Sequence, residues 1–473
     1  VRRLAGPLGA GPALGHSGSL GEVKVPAEHY WGAQSQRSLE HFAVGKEKMP
    51  MPVIRALARI KKAAAAVNCR AGKLSEEKSR LIGKACDQII AGALDDEFPL
   101  SLWQTGSGTQ SNMNVNEVIA NYVNLNRGEK LLHPNDDVNM GQSSNDVFPS
   151  ACSMASREII EEALLPETKA LAEVFRRKSE DYKSLVKIGR THLQDATPLT
   201  LGQEISAWAE MLETNCRQIE EAAKGFSYLA IGGTAVGTGV NTFEGFGEAV
   251  ASELSTETRR YYAAENRFYA LTARDVPVFC HGAMTALAAN LMKIANDIRF
   301  SAMGPRAGLA ELILPANEPG SSIMPGKVNP TQCEQLTMGA VRVMGNQTVM
   351  DVAASQGNFQ LNVFAPLLIG SFLQSAEVLS SGMRMFRLYC AEGLKANEAK
   401  IKEHLDSSLM LVTALSPHIG YMKAAELAGI AYEEGLSIKE AVLRETDLSE
   451  EEADKYLDPA AMIHPERREP EEK

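Results

Sequence analysis

An all-α chain organised around a long helical bundle is the fold class this sequence predicts, on three observations. From Leu201 the positions Leu201, Ile205, Trp208, Leu212, Asn215, Ile219, Ala222 and Phe226 step by 4-3-4-3-4-3-4, a bundle seam with one polar break at Asn215. Met284, Leu287, Leu291, Ile294 and Ile298 repeat the pattern. No strong run of alternating β-branched residues competes with them. At a rise of ~1.5 Å per residue the first seam would run about 40 Å. Alanines fill much of the remaining helix surface, so these helices are apolar on more than one face. That implies burial between neighbours, other subunits included.

The 473 residues suffice for two or three domains with a large core. The expected division is a disordered extension over 1–20, a small mostly helical domain over 21–142, the central bundle over 143–399 and a short helical domain over 400–473. At 44% hydrophobic and 23% charged, the composition is that of an ordinary soluble globular protein. A net charge of −11 argues against duplex nucleic acid or anionic membrane as the main partner, since both need a basic surface. A small anion stays open, because local Lys, His and backbone N–H groups decide its binding. No apolar run approaches the roughly 20 residues of a membrane span. The seven cysteines are dispersed and form no C-x-x-C pair, which removes support for zinc ribbons and iron–sulfur spacings. Dispersed thiols fit a reducing cytosol, so a cytoplasmic location is expected.

Along the chain, Val1 to Ser19 is rich in Gly, Pro and Leu and reads as a disordered extension rather than a transit peptide. Gly21 to Val25 reads as a short strand. Four polar, turn-rich islands then interrupt the helical patterns. The first is Thr105–Glu117, containing Ser107, Gly108 and Thr109. The second runs from His133, Pro134, Asn135 and Asp136 to Ser143, Ser144, Asn145 and Asp146. Ser150 to Lys187 is helical in pattern, interrupted at Pro166. The third island is Gly189–Pro198, with Thr191 and His192. Gly232–Gly239 imitates a phosphate loop, but no strand precedes it, so tight helix packing is the better reading. The fourth island, Gly320–Pro330, carries Ser321, Ser322, Lys327, Val328 and Asn329. Each island alone is explained by caps and turns. Four of them joined by long helices suggest residues that converge where helices from several chains meet.

The fourth island is the most specific. Two Gly and two Pro keep it out of helix or strand interiors. Its hydroxyls, ammonium and amide suit capture of an anion beside a poised hydroxyl. It is not a Walker loop: five residues separate Gly320 from Gly326, and Val328 follows Lys327.

Together these segments resemble the fumarase/aspartase superfamily, whose signature loop is the fourth island, and within it the class II, metal-free fumarate hydratases. The resemblance runs from about Gly21 to the last helices and includes Tyr30–Gln34, the four islands and Gly232–Gly239. It implies reversible hydration of fumarate to L-malate through a carbanion delocalised into the adjacent carboxylate, with no cofactor and no metal. It also implies a homotetramer whose active sites draw islands from three subunits. By resemblance Ser321 is the base that takes the C3 proton. His192 handles the water or leaving hydroxyl, and Glu334 orients His192. Ser107, Gly108, Thr109, Ser143, Ser144, Asn145, Thr191, Ser322, Lys327, Val328 and Asn329 would bind substrate. A serine alkoxide needs nearby N–H donors and Lys327. A second dicarboxylate site would comprise Lys130, His133, Pro134, Asn135 and Asp136, although His133–Asp136 also reads as a helix-start turn. His192 followed by Asp195 has a metal-like spacing, but no second His is close in sequence.

The chain departs from the pattern in three places. Lys130 stands where Arg is usual, which weakens bidentate recognition. Met140-Gly141 replaces Lys-Ser, and Gln360 stands where fumarases more often carry Glu. Gln is the aspartase tendency there, whereas Gly106-Ser107-Gly108-Thr109-Gln110 departs from the aspartase pattern at the first island. Aspartate ammonia-lyase and a non-catalytic helical scaffold therefore stay as alternatives.

Overall fold

Residues 13–18 and 21–465 are described by the computed structural model, and helices dominate them. The seam starting at Leu201 is the helix Leu201–Ala223, continued by the 3-10 turn Lys224–Ser227, and all eight seam positions are buried. Asn215 is satisfied inside it, accepting a hydrogen bond from Asn290 Nδ2 at 2.8 Å. The second seam lies on the helix Asp275–Ser301, with Met284, Leu287, Leu291, Ile294 and Ile298 buried. This helix corrects one expectation. By length and composition, with a mean hydropathy of 1.3, it is apolar enough to cross a membrane. Alanines outside its buried seam raise the mean, as in a bundle helix packed on several sides.

Pro166 does not break the run that contains it. The chain passes from helix Ser144–Ile159 through a π turn, Ile160–Leu164, into helix Leu165–Asp181. Proline lacks an N–H and its ring clashes with the carbonyl four residues back; the wider turn just before it accommodates both. After Asp181 a feature absent from the sequence reading occurs: Val186–Thr191 and Gln194–Thr200 pair as an antiparallel hairpin. Its first strand buries Lys187, Ile188 and Gly189 in succession, so no period-2 alternation betrays it. The strand expected at Gly21 is present as Gly21–Pro26, paired with Ala13–Gly18. That partner comes from the segment read as a disordered extension; positions 1–12 and 19–20 of that segment lie outside the described residues. Among the described residues every sheet is two-stranded.

The chain forms two compact units, each discontinuous in sequence. The first comprises 1–165, 217–286 and 342–378. Its core surrounds the helix Met51–Arg70, which packs on Glu76–Ile90, Ser144–Ile159 and Phe246–Leu254. The Gly232–Gly239 segment is a series of turns in this unit, packed as tightly as expected. A Cβ on Gly232 would lie 2.8 Å from Gly247 Cα, and one on Gly237 would lie 2.6 Å from the Phe268 ring. A two-residue strand, Tyr228–Leu229, does precede it. The second unit comprises 166–216, 287–341 and 379–473. Within it Ile188 of the hairpin joins Leu405, Leu415, Leu427, Ile438 and Val442 in one apolar cluster.

Leu212→Ala is expected to destabilise the protein by about 2–5 kcal/mol, the range for emptying a closed core site. A lower denaturant midpoint at unchanged slope would register it.

Candidate active site

In the first unit the first two islands meet. Gly106 has no room for a side chain, because a Cβ would fall 1.4 Å from Val363 O. Gly108 caps the helix Thr109–Arg127 at φ 74°, the left-handed region, with the Phe148 ring 2.3 Å from any Cβ. The chain thereby presents three hydroxyls in a row: Ser107 Oγ to Thr109 Oγ1 at 2.7 Å, and Thr109 Oγ1 to Ser144 Oγ at 2.7 Å. Ser143 caps the next helix in a capping box with Asp146. Asn145 donates from Nδ2 to Ala235 O at 2.8 Å, tying the second island to the Gly-rich segment.

Two buried carboxylates hold this arrangement. Glu117 accepts from Gly32 N, Gln34 N, Ser35 N and Ser35 Oγ at 2.9, 2.8, 3.1 and 2.6 Å, which anchors the Tyr30–Gln34 motif. Asp146 accepts from Gly232 N at 2.9 Å and Thr234 N at 3.0 Å as well as from Ser143 N. Burial pushes the Asp146 pKa up, opposed by these N–H donors and by Lys61. Burial likewise pushes Lys61 down, with Asp146 as counter-charge. Lys61 donates to Asn139 Oδ1 at 2.8 Å, which also accepts from Asn112 and Asn116. Sequence reasoning missed Lys61. Its signal was a lysine on the apolar stripe Ile54, Leu57, Lys61, Ala64 and Val67.

The second-site residues form a local turn. His133 Nδ1 accepts from Asp136 N at 3.2 Å, and His133 N donates to Asp137 Oδ2 at 2.8 Å. Lys130, His133, Asn135 and Asp136 are exposed, and Pro134 starts the following π turn. The helix-start reading of this segment is thus seen directly.

In the second unit the hairpin projects Thr191 and His192. His192 (φ 57°) and Leu193 (φ 61°) form its two-residue turn, both left-handed without being glycine. Such backbone costs about 1–2 kcal/mol per residue. Asp195 lies 3.9 Å from Arg190 Nε, so it faces a cation. Among the described residues no three His, Cys, Asp or Glu side chains gather as a metal-binding group.

The fourth island is an irregular loop between the strand Leu312–Ile313 and the helix Thr331–Ala354. Its ends are stapled. Gly320 N donates to Lys327 O at 3.0 Å, and Asn329 Nδ2 donates to Gly320 O. Ser321 Oγ accepts from Ile323 N at 3.2 Å and Met324 N at 3.1 Å. Ser322, Lys327 and Val328 are exposed, and among the described residues Lys327 makes no ion pair. Glu334 is exposed on the helix that follows. Within this unit no hydrogen bond or ion pair joins Glu334 to His192, so their expected pairing is not made inside one chain.

Glu311, also missed from the sequence, is nearly inaccessible in this unit. It accepts from Arg190 Nη1 and Nη2 at 3.1 and 2.6 Å and from His404 Nδ1 at 2.9 Å, with Lys187 Nζ 3.3 Å away. Burial would raise its pKa; bonds from Arg190 and His404 and the Lys187 charge outweigh that and hold it at about 2. A folded pKa below the unfolded one stabilises fully above about pH 4.5, and the contribution is lost as pH falls toward 2. Glu311→Gln should therefore be less stable than the parent at pH 5, with the gap narrowing at pH 3. Unfolding midpoints at the two pH values measure this; a constant gap would contradict it.

The lyase family model matches residues 21–345 and the fumarase C C-terminal model residues 411–464. A class II fumarate hydratase of Listeria monocytogenes is 56% identical over 447 residues, covering 94% of this chain and 98% of that protein. One from Helicobacter pylori is 56% identical over 453 residues with the same shares. The crystal structure of a class II fumarase from Schistosoma mansoni superposes with a TM-score of 0.93 at 41% identity, over 96% of this chain and 100% of that one. With hydroxyl-lined islands, a stapled serine loop and a match of this extent, the chain belongs to the class II fumarate hydratase family of lyases.

Proposed function

We propose that this enzyme catalyses the reversible, stereospecific hydration of fumarate to L-malate, the step of the tricarboxylic acid cycle, without a metal or cofactor. One observation carries the assignment of chemistry to residues: Ser321 Oγ faces two backbone N–H donors in an exposed loop that also carries Lys327. Those donors would stabilise an alkoxide, which a serine base requires at neutral pH. In dehydration Ser321 takes the C3 proton of malate, and the electron pair passes into the adjacent carboxylate as its aci form. The C–O bond then breaks as His192 protonates the departing hydroxyl, oriented and charged by Glu334. Lys327, Asn329 and the donors around Thr109 and Asn145 hold the carboxylates and the developing charge. Ser107, Gly108, Ser143, Ser144, Thr191, Ser322 and Val328 complete the binding surface. Lys130 and His133–Asp136 serve as a second dicarboxylate site.

A homotetramer with shared sites fits the exposed face of the helix Thr331–Ala354. Glu334, Met338, Val341, Gly345, Thr348 and Val352 are all exposed and step by 4-3-4-3-4, a second bundle seam opposite the buried one. Met338, Val341 and Val352 supply the exposed apolar positions of this face, and such a face calls for a partner helix. Completion by another copy would also explain why Glu334 and His192 do not meet in one chain. Seven free thiols fit a cytoplasmic location. The domain boundaries near Gln142 and Ala399 belong to the same proposal. One residue favours aspartate ammonia-lyase, Gln360, which is exposed beside Phe359.

Fumarate absorbance in the ultraviolet tests the assignment: malate should generate fumarate in the presence of a chelator. Ammonia-dependent loss of fumarate would replace it with the aspartase reading. Ser321→Ala and His192→Asn should each lower kcat by about 10²–10⁴, and Lys327→Ala should chiefly weaken a dicarboxylate inhibitor. Wild-type turnover in Ser321→Ala would remove it as the base. For the assembly, Val341→Glu should give a smaller species by light scattering and lose activity in step; a fully active tetramer would exclude this seam.

A further inference from the structure

His192 makes no side-chain hydrogen bond or ion pair among the described residues, so its direction is set by the backbone that carries it. That backbone is a two-residue turn with both φ angles left-handed and with Leu193 77% exposed. Nothing at the tip explains why the strained turn persists. The explanation lies just below it, in the strand Val186–Thr191.

Lys187 and Arg190 are three residues apart, and in a regular strand such residues point to opposite faces. Here the register shifts between Ile188 and Arg190: Gly189 alone faces Ala196 and Thr197 of the partner strand, so the extra residue of the bulge lies in Gln194–Thr200. A Cβ at Gly189 would lie 2.6 Å from Thr197 O, so only glycine fits. Beside this irregularity Lys187 and Arg190 depart from strict alternation, and both reach the carboxylate of Glu311. Lys187 also pairs with Glu204 at 2.9 Å. Glu311 is itself fixed through its main chain: its N–H donates to Ser301 O and its carbonyl accepts from Asn397 N, each at 2.8 Å. The side chain is 1% exposed, so this anchor is shielded from solvent competition.

We propose that Glu311 is a positioning residue for the reaction, aiming the His192 turn through its bidentate bond to Arg190 and its pairing with Lys187. This rests on the reading of His192 as the group that handles the water. Bidentate geometry matters because a planar guanidinium fixed at two points transmits orientation along the strand, which a single point charge does not. His192 lies two residues beyond Arg190, so a small tilt at the anchor displaces the imidazole. A displacement near 1 Å costs roughly 10² in rate when a reacting group is held off its geometry.

The test is steady-state kinetics on folded enzyme, with folded fraction and assembly measured alongside. Glu311→Gln should lower kcat by roughly 10-fold to 10²-fold while KM for malate changes by less than about threefold. Arg190→Lys keeps the cation but loses the fork, and should give the same split; it serves if Glu311→Gln does not fold. Placed on His192→Asn, either substitution should slow the enzyme no further, because a positioning residue has nothing left to aim. A merely structural role predicts otherwise: kcat per folded subunit would hold in the single variants, or the His192→Asn defect would multiply. Either result overturns the proposal. If His192→Asn alone keeps wild-type kcat, the role of His192 falls and the positioning role with it. A damaged His192→Asn beside an undamaged Arg190→Lys overturns positioning alone.

Discussion

A carboxylate taken out of water must be met by donors, and three such groups organise the polar parts of this molecule. Glu117 gathers the N–H groups of Gly32, Gln34 and Ser35; Asp146 gathers those of Ser143, Gly232 and Thr234; Glu311 gathers Arg190, Lys187 and His404. Loops lack the ladders that satisfy backbone groups in helices and sheets. Glu117 and Asp146 each replace a ladder with several converging bonds to main-chain N–H groups, and so give an irregular segment one shape, whereas Glu311 gathers side chains from a strand and a helix. The cost of burying the charge is offset only while every donor is in place. Each of the first three islands thus holds one member of such a cluster: Glu117, Asp146 and Arg190.

The same division of labour appears in the backbone. Positions that meet another chain segment at very short range are glycines, as at Gly106 against Val363 and Gly189 against Thr197. The hairpin turn does the reverse: His192 and Leu193 take left-handed backbone despite their side chains. Glycine would relieve that strain and remove the imidazole. Strain of this kind persists where surrounding structure over-determines it, and the Glu311 anchor supplies the surrounding structure.

Helices were legible because their signal is local and periodic. The buried stripe from Leu201 to Phe226 matches its sequence spacing residue for residue, and even the polar break at Asn215 is buried and bonded. The hairpin over Val186–Thr200 was not legible. Its first strand, with three consecutive buried residues, has no alternation, and its turn carries His-Leu in place of Asn-Gly. Pro166 misled for a related reason, since a π turn that tolerates proline has no sequence signature. Lys61 could have been noticed as a charge on an apolar stripe, but nothing near it in sequence names Asp146 as its counter-charge.

By itself the sequence determined the helical class, the seams, the family and the residue types offered at each island, because these depend on periodicity and on local chemistry. Only the tertiary structure decided which carboxylate serves which island. Glu117 reaches back to Gly32, Asp146 forward to Gly232, and Arg190 across to Glu311. Partners so far apart along the chain are chosen by packing and by the need to compensate a buried charge. No pattern of neighbouring residues records that choice.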